Sequence, residues 1–297
     1  MGDESPALAY ALITPTRNEE RNLKRLAACI ADQVVPPTAW LIVDNGSEDE
    51  TRAVAESLIT QYPRARFVRI DPDGPQARGA PVVRAFTAGL RLLGPWPEIV
   101  VKLDADVSFD ADYFRQLLTR FDADGSLGIA SGLCLELADG QWRSQHSTRS
   151  HVRGAVRAYR RECLREVLPL EERMGWDGID EIKAAMSGWR TATFHDMVFF
   201  HHRALGERES AIHRWERQGE MAHYMGYRPS YLALRALYRS LRDPAAMAMI
   251  IGFARSAALG AAQYPDPHVR DWLRREQSLR AIPTRAREAL GRTPTSG

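Results

Sequence analysis

Acidic residues in three short clusters are the part of this sequence best suited to chemistry. Each cluster follows an apolar run or opens a helical pattern, and carboxylates at the ends of parallel strands converge on one edge of a sheet. One cluster could hold a nucleotide, one a divalent metal ion, and one the proton of an attacking group. The clusters are Val43-Asp44-Asn45-Gly46-Ser47, Leu103-Asp104-Ala105-Asp106, and Trp176-Asp177 with Asp180-Glu181.

The pair Asp104 and Asp106 predicts a metal site. Both acids follow the largely apolar run at 100–103, which is typical of a buried strand. Two carboxylates two residues apart can face one ligand where a strand loosens. Hard oxygen donors suit Mg²⁺ or Mn²⁺, with phosphate oxygens completing the shell. His201 and His202 follow another apolar run, so one imidazole of the two could complete the ligands, and the sequence leaves open which.

Two loops and an arginine are predicted to hold a nucleotide. Asp44 ends a strand, where its carboxylate could accept the N–H of a pyrimidine base. Arg78 precedes a helix, where a guanidinium and the helix N-terminus favour phosphate, although a solvated surface arginine is the alternative. The loop after the first strand could grip a base and ribose, with an ordinary turn capped by its asparagine as the alternative. That loop consists of Pro15, Thr16, Arg17, Asn18 and Glu19.

A third group of acids opens a helix near residue 176. Asp177 lies at the entry turn, where a carboxylate can point into a cleft and accept a proton. Asp180 and Glu181 have a simpler interpretation, because acids near a helix N-terminus interact favourably with the helix dipole.

The elements that must position these residues alternate between strand and helix. Apolar runs at 9–14, 40–43, 67–70 and 99–103 predict buried strands, each followed by a helical pattern. This alternation favours a mostly parallel sheet with helices on both faces. Ser47 and Glu50 form a capping-box pattern, so we expect the second helix to begin there. The polar stretch 138–153 is expected to be a loop.

Beyond about residue 205 the pattern is wholly helical, which predicts a helical C-terminal region over 206–292 after a first domain over 1–205. Residues 293–297 are expected to be disordered. The apolar stretch 245–262 is interrupted by Arg255 and Ser256 and is marginal in length for a bilayer span, so a packed or at most interfacial helix is expected. The C-terminal helices contain several arginines and Trp215. Two roles for these helices remain open, an ordinary packed helical cap or contact with an anionic membrane.

Composition narrows the class of protein. The chain has 297 residues, 44% hydrophobic and 26% charged, which are ordinary values for a globular protein. A net charge of +2 is too small to indicate nucleic acid as the partner. The three cysteines form no Cys-x-x-Cys pair, so a zinc site is not expected. We expect a reducing, cytoplasmic compartment.

The ordered set of motifs resembles family 2 glycosyltransferases of the GT-A fold. The resemblance covers roughly residues 8 to 203. It rests on Pro15-Thr-Arg-Asn-Glu, Val43-Asp-Asn-Gly-Ser-x-Asp-x-Thr51, Asp104-Ala-Asp106, and Asp177 placed eleven residues before Gly188.

The resemblance implies an inverting sugar transfer from a nucleotide diphosphate sugar with a divalent metal. It implies that the Pro15–Glu19 loop and Asp44 bind the nucleotide, that Asp104 contacts ribose or metal, and that Asp106 binds metal and diphosphate. Asp177 matches the position of the family's base, with Asp180 in reserve because Trp176 stands where many members have glutamate. The Gln-x-x-Arg-Trp motif of processive members is incomplete here, so a non-processive enzyme is expected.

The expected function is therefore transfer of a sugar to a hydroxyl acceptor in the synthesis of a glycan, glycolipid or natural product. Two other functions remain open: a sugar nucleotidyltransferase, and a non-catalytic protein that binds nucleotide sugars. Against the first, the chain lacks a glycine-rich N-terminal loop with a basic residue. The intact acids Asp104, Asp106 and Asp177 count against the second.

Overall fold

The computed structural model describes residues 7–72, 79–138, 140–144, 151–202 and 210–278. Arg78 and the tail expected at 293–297 lie outside these residues. Contacts between Cα atoms divide the chain into two compact units, residues 1–204 and 205–297. Each unit is described by itself.

The described part of the first unit contains one sheet of nine strands, eight of which lie in the order β3-β2-β1-β4-β8-β6-β9-β5, with β7 paired to β6. The pairs β3-β2, β2-β1, β1-β4 and β6-β9 are parallel, and the other pairs are antiparallel. The strands are β1 Tyr10–Thr16, β2 Ala39–Asp44, β3 Ala65–Arg69, β4 Ile99–Leu103, β5 Val107–Phe109, β6 Leu127–Ala138, β7 Gln141–Ser144, β8 Val156–Arg160 and β9 Arg190–His201. The predicted α/β class is confirmed, and the sheet is mixed beyond β4.

Helices follow most of the strands in this unit and carry apolar residues at helical spacing. In α1, Leu23, Leu26 and Ile30 are buried, as the spacing predicts. The helices are α1 Glu20–Ala31, α2 Thr51–Gln61, α3 Ala80–Leu92, α4 Tyr113–Ala123, α5 Arg161–Val167 and α6 Trp176–Met186.

The core lies on both faces of the sheet because neighbouring residues of a strand point to opposite faces. Leu12 of β1 packs in one cluster with Leu23 of α1 and Phe114 of α4. Ile13 packs in the other cluster with Phe86 of α3. Burial on both faces explains why these strands are continuous apolar runs rather than alternating ones.

The capping box predicted at Ser47 is wrong. Helix α2 begins at Thr51, after Glu50, and no side chain caps it. The hydroxyl of Ser47 donates instead to Asp44 Oδ1, and the backbone N–H of Ser47 donates to the same oxygen at 3.1 Å. A capping serine would accept a backbone N–H of the helix, but Ser47 Oγ accepts the N–H of Asn18 at 2.9 Å instead.

The loop predicted at 138–153 is also wrong in part, because β7 pairs antiparallel with β6 in a hairpin. Ala138 lies opposite Gln141, and Gly140 between them has φ +71°. The dipeptide Asp139-Gly140 is a hairpin turn signal that the sequence carries. The four residues of β7 are exposed, so no apolar alternation marks the strand.

The described part of the second unit is helical. Within the described residues, no helix has both the length and the apolar character needed to cross a bilayer. The apolar stretch after residue 244 forms a short 3₁₀ turn over Pro244–Met247 followed directly by an α-helix. The helices are α7 Ala211–Tyr224, α8 Pro229–Ser240, α9 Ala248–Ala258 and α10 Pro267–Glu276.

Candidate functional site

A cleft of about 320 Å³ opens at the carboxyl ends of β1, β2 and β4. This volume suits a small ligand, and the edge of the sheet at strand ends is where ligands of such folds bind. The lining brings together much of the first loop and the Asp-x-Asp segment. It consists of Pro15, Thr16, Arg17, Glu19, Asn45, Pro81, Val82, Ala85, Asp104, Ala105 and Asp106.

Three side chains at this edge form a cluster that could hold a metal ion. Ligand atoms of Asp104, Asp106 and His201 all lie within 4.8 Å of one another. His201 is the last residue of β9, which pairs with β5 beside Asp106. Two carboxylates and one imidazole are donors that Mn²⁺ accepts in proteins, and carboxylates alone suit Mg²⁺. The residues present therefore fit a divalent cation.

The structure brings His201 and not His202 into this cluster. His201 Nε2 lies 3.2 Å from Asp106 Oδ1, and Nδ1 lies 3.6 Å from Glu136 Oε1. Burial alone would lower the pKa of His201, but hydrogen bonds to the carboxylates of Asp106 and Glu136 raise it to about 9. His202 points elsewhere, since its Nε2 lies 2.7 Å from Ser108 Oγ.

Asn18 joins the first loop to the loop after β2. It has φ 58°, in the left-handed region that asparagine tolerates better than most residues. Its N–H donates to Ser47 Oγ at 2.9 Å, and its Oδ1 accepts from Glu48 N at 2.8 Å. Asn18 does not cap α1 as the sequence suggested, because Glu19 is the N-cap residue and no side chain serves as a cap.

Asp44 ends β2 and is fully buried. Its carboxylate accepts hydrogen bonds from Ser47, and Arg69 Nη1 lies 3.6 Å away. The next residue, Asn45, lines the cleft, with its Nδ2 held by Pro81 O at 3.2 Å.

Asp177 lies in the first turn of α6 and is half-buried. A Cβ atom added to Gly154 would lie 3.5 Å from Asp177 Oδ2, so Gly154 leaves room beside this carboxylate. No hydrogen bond from a described residue occupies the Asp177 carboxylate.

Asp180 is placed very differently, one turn deeper in α6. It is 1% exposed, and Arg157 of β8 is fully buried against it. The guanidinium Nη2 donates to Oδ1, and Nε donates to Oδ2 at 3.1 Å, while the hydroxyl of Tyr159 also donates to Oδ2. Burial raises the pKa of the Asp180 carboxyl to about 7, although Arg157 opposes this. Both oxygens are occupied, so a ligand has no access to them.

Arg157 also fixes the backbone that carries Asp177. Its Nη2 donates to Asp177 O at 2.8 Å, and its Nη1 lies 3.2 Å from Glu181 Oε1. Burial opposes the charge on Arg157, but the carboxylates around it raise the pKa of the guanidinium well above its ordinary value. This buried ion pair therefore holds the turn that presents Asp177.

Lys102 links the two halves of the site. It is 2% exposed, and its ammonium pairs with Asp104 Oδ1 and donates to Gly154 O at 2.7 Å. The same nitrogen lies 5.7 Å from the centroid of the Trp176 ring. Asp104 and the segment before Asp177 are thus connected through one buried cation.

Roles for Lys102, Arg157 and Glu136 were not predicted from the sequence. The available signal was a charged residue inside a buried strand, since charged residues are almost never fully buried unless paired. The partners of these residues are remote in the chain, however, so the signal could not have identified them.

Comparison with known proteins places this site in a family. Residues 11–165, more than half of the chain, match the sequence model described as "Glycosyl transferase family 2". This stretch contains the first loop, Asp44 and the Asp-x-Asp pair.

Curated relatives are similar over part of the chain. The polyprenol monophosphomannose synthase of Mycolicibacterium smegmatis is 31% identical over 126 residues, which are 42% of this chain and 46% of that protein. The succinoglycan biosynthesis protein ExoA of Rhizobium meliloti is 28% identical over 42% of this chain and 36% of its own length. An uncharacterized glycosyltransferase of Mycobacterium bovis, Mb0553, is 28% identical over 61% of this chain and 81% of its own length.

Solved structures share the fold at low identity. The mannosyltransferase PcManGT from Pyrobaculum calidifontis, in complex with GDP-Man and Mn²⁺, has a TM-score of 0.58 and 18% identity over 96% of this chain and 88% of that one. GalNAc-T7 with UDP, GalNAc and Mn²⁺ has a TM-score of 0.61 and 11% identity over 96% and 58% of the two chains. The fold is that of GT-A glycosyltransferases, and the chain belongs to glycosyltransferase family 2.

Proposed function

We propose that residues 1–205 form a catalytic domain that moves a sugar from a nucleotide-diphosphate sugar to a hydroxyl acceptor, with inversion at the anomeric carbon and without processivity. Residues 206–292 form a helical appendage in this proposal. The observation that carries it is the cluster of Asp104, Asp106 and His201 at the edge of a cleft of about 320 Å³.

The donor is proposed to lie along the carboxyl ends of the first strands. Pro15, Thr16, Arg17, Glu19 and Asn45 line the cleft there. Asp44 is proposed to contact the nucleotide, and Ser47 joins it to Asn18 of the first loop. Arg78 is proposed to contact phosphate. The related PcManGT and GalNAc-T7 structures contain GDP-Man and UDP, which supports a nucleotide donor without selecting its base or sugar.

The diphosphate is proposed to lie against Asp104, Asp106 and His201, which would hold Mn²⁺ or Mg²⁺. The bound cation would supply charge stabilisation to the diphosphate leaving group. Carboxylates alone would repel a diphosphate, so the buried ammonium of Lys102 offsets part of their charge before a donor arrives.

Asp177 is proposed as the proton acceptor for the attacking hydroxyl. Its carboxylate is half-buried, and no hydrogen bond from a described residue competes for its oxygens. A general base must come within hydrogen-bond distance of the hydroxyl that it deprotonates. Asp180 is the weaker candidate, because Arg157 and Tyr159 occupy both of its oxygens. The role we propose for Asp180 is to position the turn that carries Asp177.

A cytoplasmic location with peripheral membrane contact through the C-terminal helices completes the proposal. Exposed apolar side chains on the described helices after residue 210 support the contact.

The first test is the binding of nucleotide sugars. A thermal-shift panel with Mn²⁺ identifies the donor, and calorimetry then compares the wild type with Asp106→Ala. We expect the variant to lose Mn²⁺-dependent donor binding, because a carboxylate of the metal cluster is removed. Asp122→Ala is the matched control, since Asp122 is an exposed acid of α4. Equal donor binding by Asp106→Ala and wild type would refute the metal assignment.

The products then separate the competing functions. A glycosyltransferase releases the nucleoside diphosphate and forms a product whose anomeric configuration, read by NMR, is opposite to that of the donor. A nucleotidyltransferase would instead form the nucleotide sugar from a nucleoside triphosphate and release pyrophosphate. A binding protein would bind the donor and release neither.

A further inference from the structure

Helix α8 exposes an apolar stripe along one side. Leu234, Leu237, Tyr238 and Leu241 recur at spacings of three and four, which places them on one face of a helix. Leu237 is 58% exposed, and Leu241, just beyond the end of the helix, is 78% exposed. The opposite side of α8 is buried through Leu232 and Ala236. An exposed run of this length exceeds the scattered apolar residues of ordinary surfaces.

A second apolar stripe runs along the 3₁₀ turn and α9. Met247, Ile250, Ile251, Ala254 and Ala258 again follow helical spacing, and all of them are exposed. Ile251 is 57% exposed. The stripe itself is apolar, and Arg255, four residues after Ile251, is exposed at its edge.

The contact between α9 and α7 determines which side of α9 is exposed. A Cβ atom on Gly252 would lie 2.0 Å from Glu216 O, and one on Gly219 would lie 2.0 Å from Met249 O. The two backbones therefore approach too closely for any side chain between them. Because these glycines must face each other, the Ile251 side of α9 must face away from α7.

Charge around the two stripes is mostly positive, although Arg255 of α9 is paired with Glu220 of α7. Residues 221–265 contain five arginines and a single acid, Asp243. That acid is engaged, since its carboxylate accepts hydrogen bonds from Trp215 Nε1 at 2.7 Å and Ala245 N at 3.1 Å. Three of the arginines, Arg235, Arg239 and Arg242, adjoin the stripe of α8, each one residue after one of its members. The surface is therefore apolar with a basic border.

We propose that the exposed stripes of α8 and α9 form a docking surface for an anionic phospholipid bilayer. Amphipathic helices with basic borders lie in the interface of such membranes, with the apolar face among the acyl chains. A second copy of this chain is a poorer occupant, because it would bring an equally basic surface against this one. The relevance of this surface to catalysis rests on the proposed function. If the chain transfers a sugar, a membrane-bound surface implies that the acceptor is presented at a membrane.

The test is co-sedimentation of the full chain with lipid vesicles, without donor or metal. We expect binding to vesicles of phosphatidylcholine with phosphatidylglycerol, and much weaker binding to phosphatidylcholine alone. Leu237→Gln and Leu241→Gln should each weaken binding about tenfold, because burial of a leucine is lost. Arg242→Gln should weaken it about fivefold on the anionic vesicles only.

Leu92→Gln is the matched control, because Leu92 is an exposed leucine of the first unit, and its binding should equal that of wild type. Calorimetric donor binding by the Leu237→Gln and Leu241→Gln variants shows whether the catalytic unit is intact. Loss of vesicle binding with donor binding kept supports the docking surface. If the wild type binds no donor, the proposed function is overturned, and the docking surface is not.

Two results would overturn the docking surface. One is equal binding of the wild type to neutral and anionic vesicles. The other is a dimer in sedimentation velocity that Leu237→Gln dissociates, because the surface would then be an interface between two copies.

Discussion

The buried pair of Arg157 and Asp180 gives the sharpest test of how the site is held together. Arg157 is fully buried and Asp180 is 1% exposed, so neither charge is stabilised by water. Arg157→Met leaves the carboxylate with Tyr159 as its remaining partner and leaves Asp177 O without its donor. Breaking a buried pair by removing one partner costs about 3–5 kcal/mol. We expect the free energy of unfolding to fall by that amount.

Asp180→Asn should also destabilise the protein, but by less, because Glu181 Oε1, 3.2 Å from Arg157 Nη1, remains as a counter-charge for the buried guanidinium. The double variant should lose clearly less unfolding free energy than the sum of the losses of the two single variants, because it removes both charges of the pair. We expect a coupling energy of about 2 kcal/mol or more from the cycle. The assay is urea unfolding followed by tryptophan fluorescence at about pH 8, above the Asp180 pKa of about 7.

Arg52→Met is the matched control, because Arg52 forms an exposed ion pair with Glu56 within α2. Its unfolding midpoint should equal that of wild type, since exposed pairs contribute little. Additive losses in the Arg157 and Asp180 cycle would show that the two charges do not depend on each other. The proposed positioning of Asp177 through this pair would then be wrong.

Three further outcomes are expected. Asp177→Asn should keep donor affinity in calorimetry while turnover falls about 10²–10⁴-fold, and turnover near wild type would move the base elsewhere. Gly89→Ala should reduce unfolding free energy by about 1–3 kcal/mol, because its Cβ would lie 2.4 Å from Ile13 Cγ2, and an unchanged urea midpoint would contradict this packing. Burial lowers the pKa of His151, but Glu181, 3.2 Å away, outweighs this and raises it. His151→Gln should therefore destabilise the protein more at about pH 6, below the unfolded pKa of about 6.5, than at about pH 9, a difference that two urea titrations measure.

Much of the first unit could be predicted because its signals are local. The apolar runs of β1, β2 and β4 are buried on both faces, so their sequence alone indicates parallel strands covered by helices. The position of Asp104 and Asp106 after β4 follows from the same run. These acids lie near His201 because β5 pairs with β9, a strand about ninety residues later. The sequence left open whether His201 or His202 joins them.

Other features could not be predicted because they depend on which partner is nearer in space. Ser47 fits a capping box by spacing, but its hydroxyl oxygen accepts the N–H of Asn18, about thirty residues earlier in the chain, instead of an N–H of α2. The choice between Asp177 and Asp180 depends on Arg157, which belongs to a strand about twenty residues earlier. Strand β7 has four exposed residues and carries no apolar alternation, so only its turn could have signalled it.

The glycine contact between α7 and α9 has a consequence for engineering. The close approach of α9 to α7 depends on Gly219 and Gly252, and the exposed apolar stripe of α9 takes no part in that approach. The residues of the exposed stripe of α9 could therefore be substituted one at a time while α7 and α9 keep their packing. In this part of the protein, the close contact between the two helices and the exposed apolar stripe are encoded by separate residues.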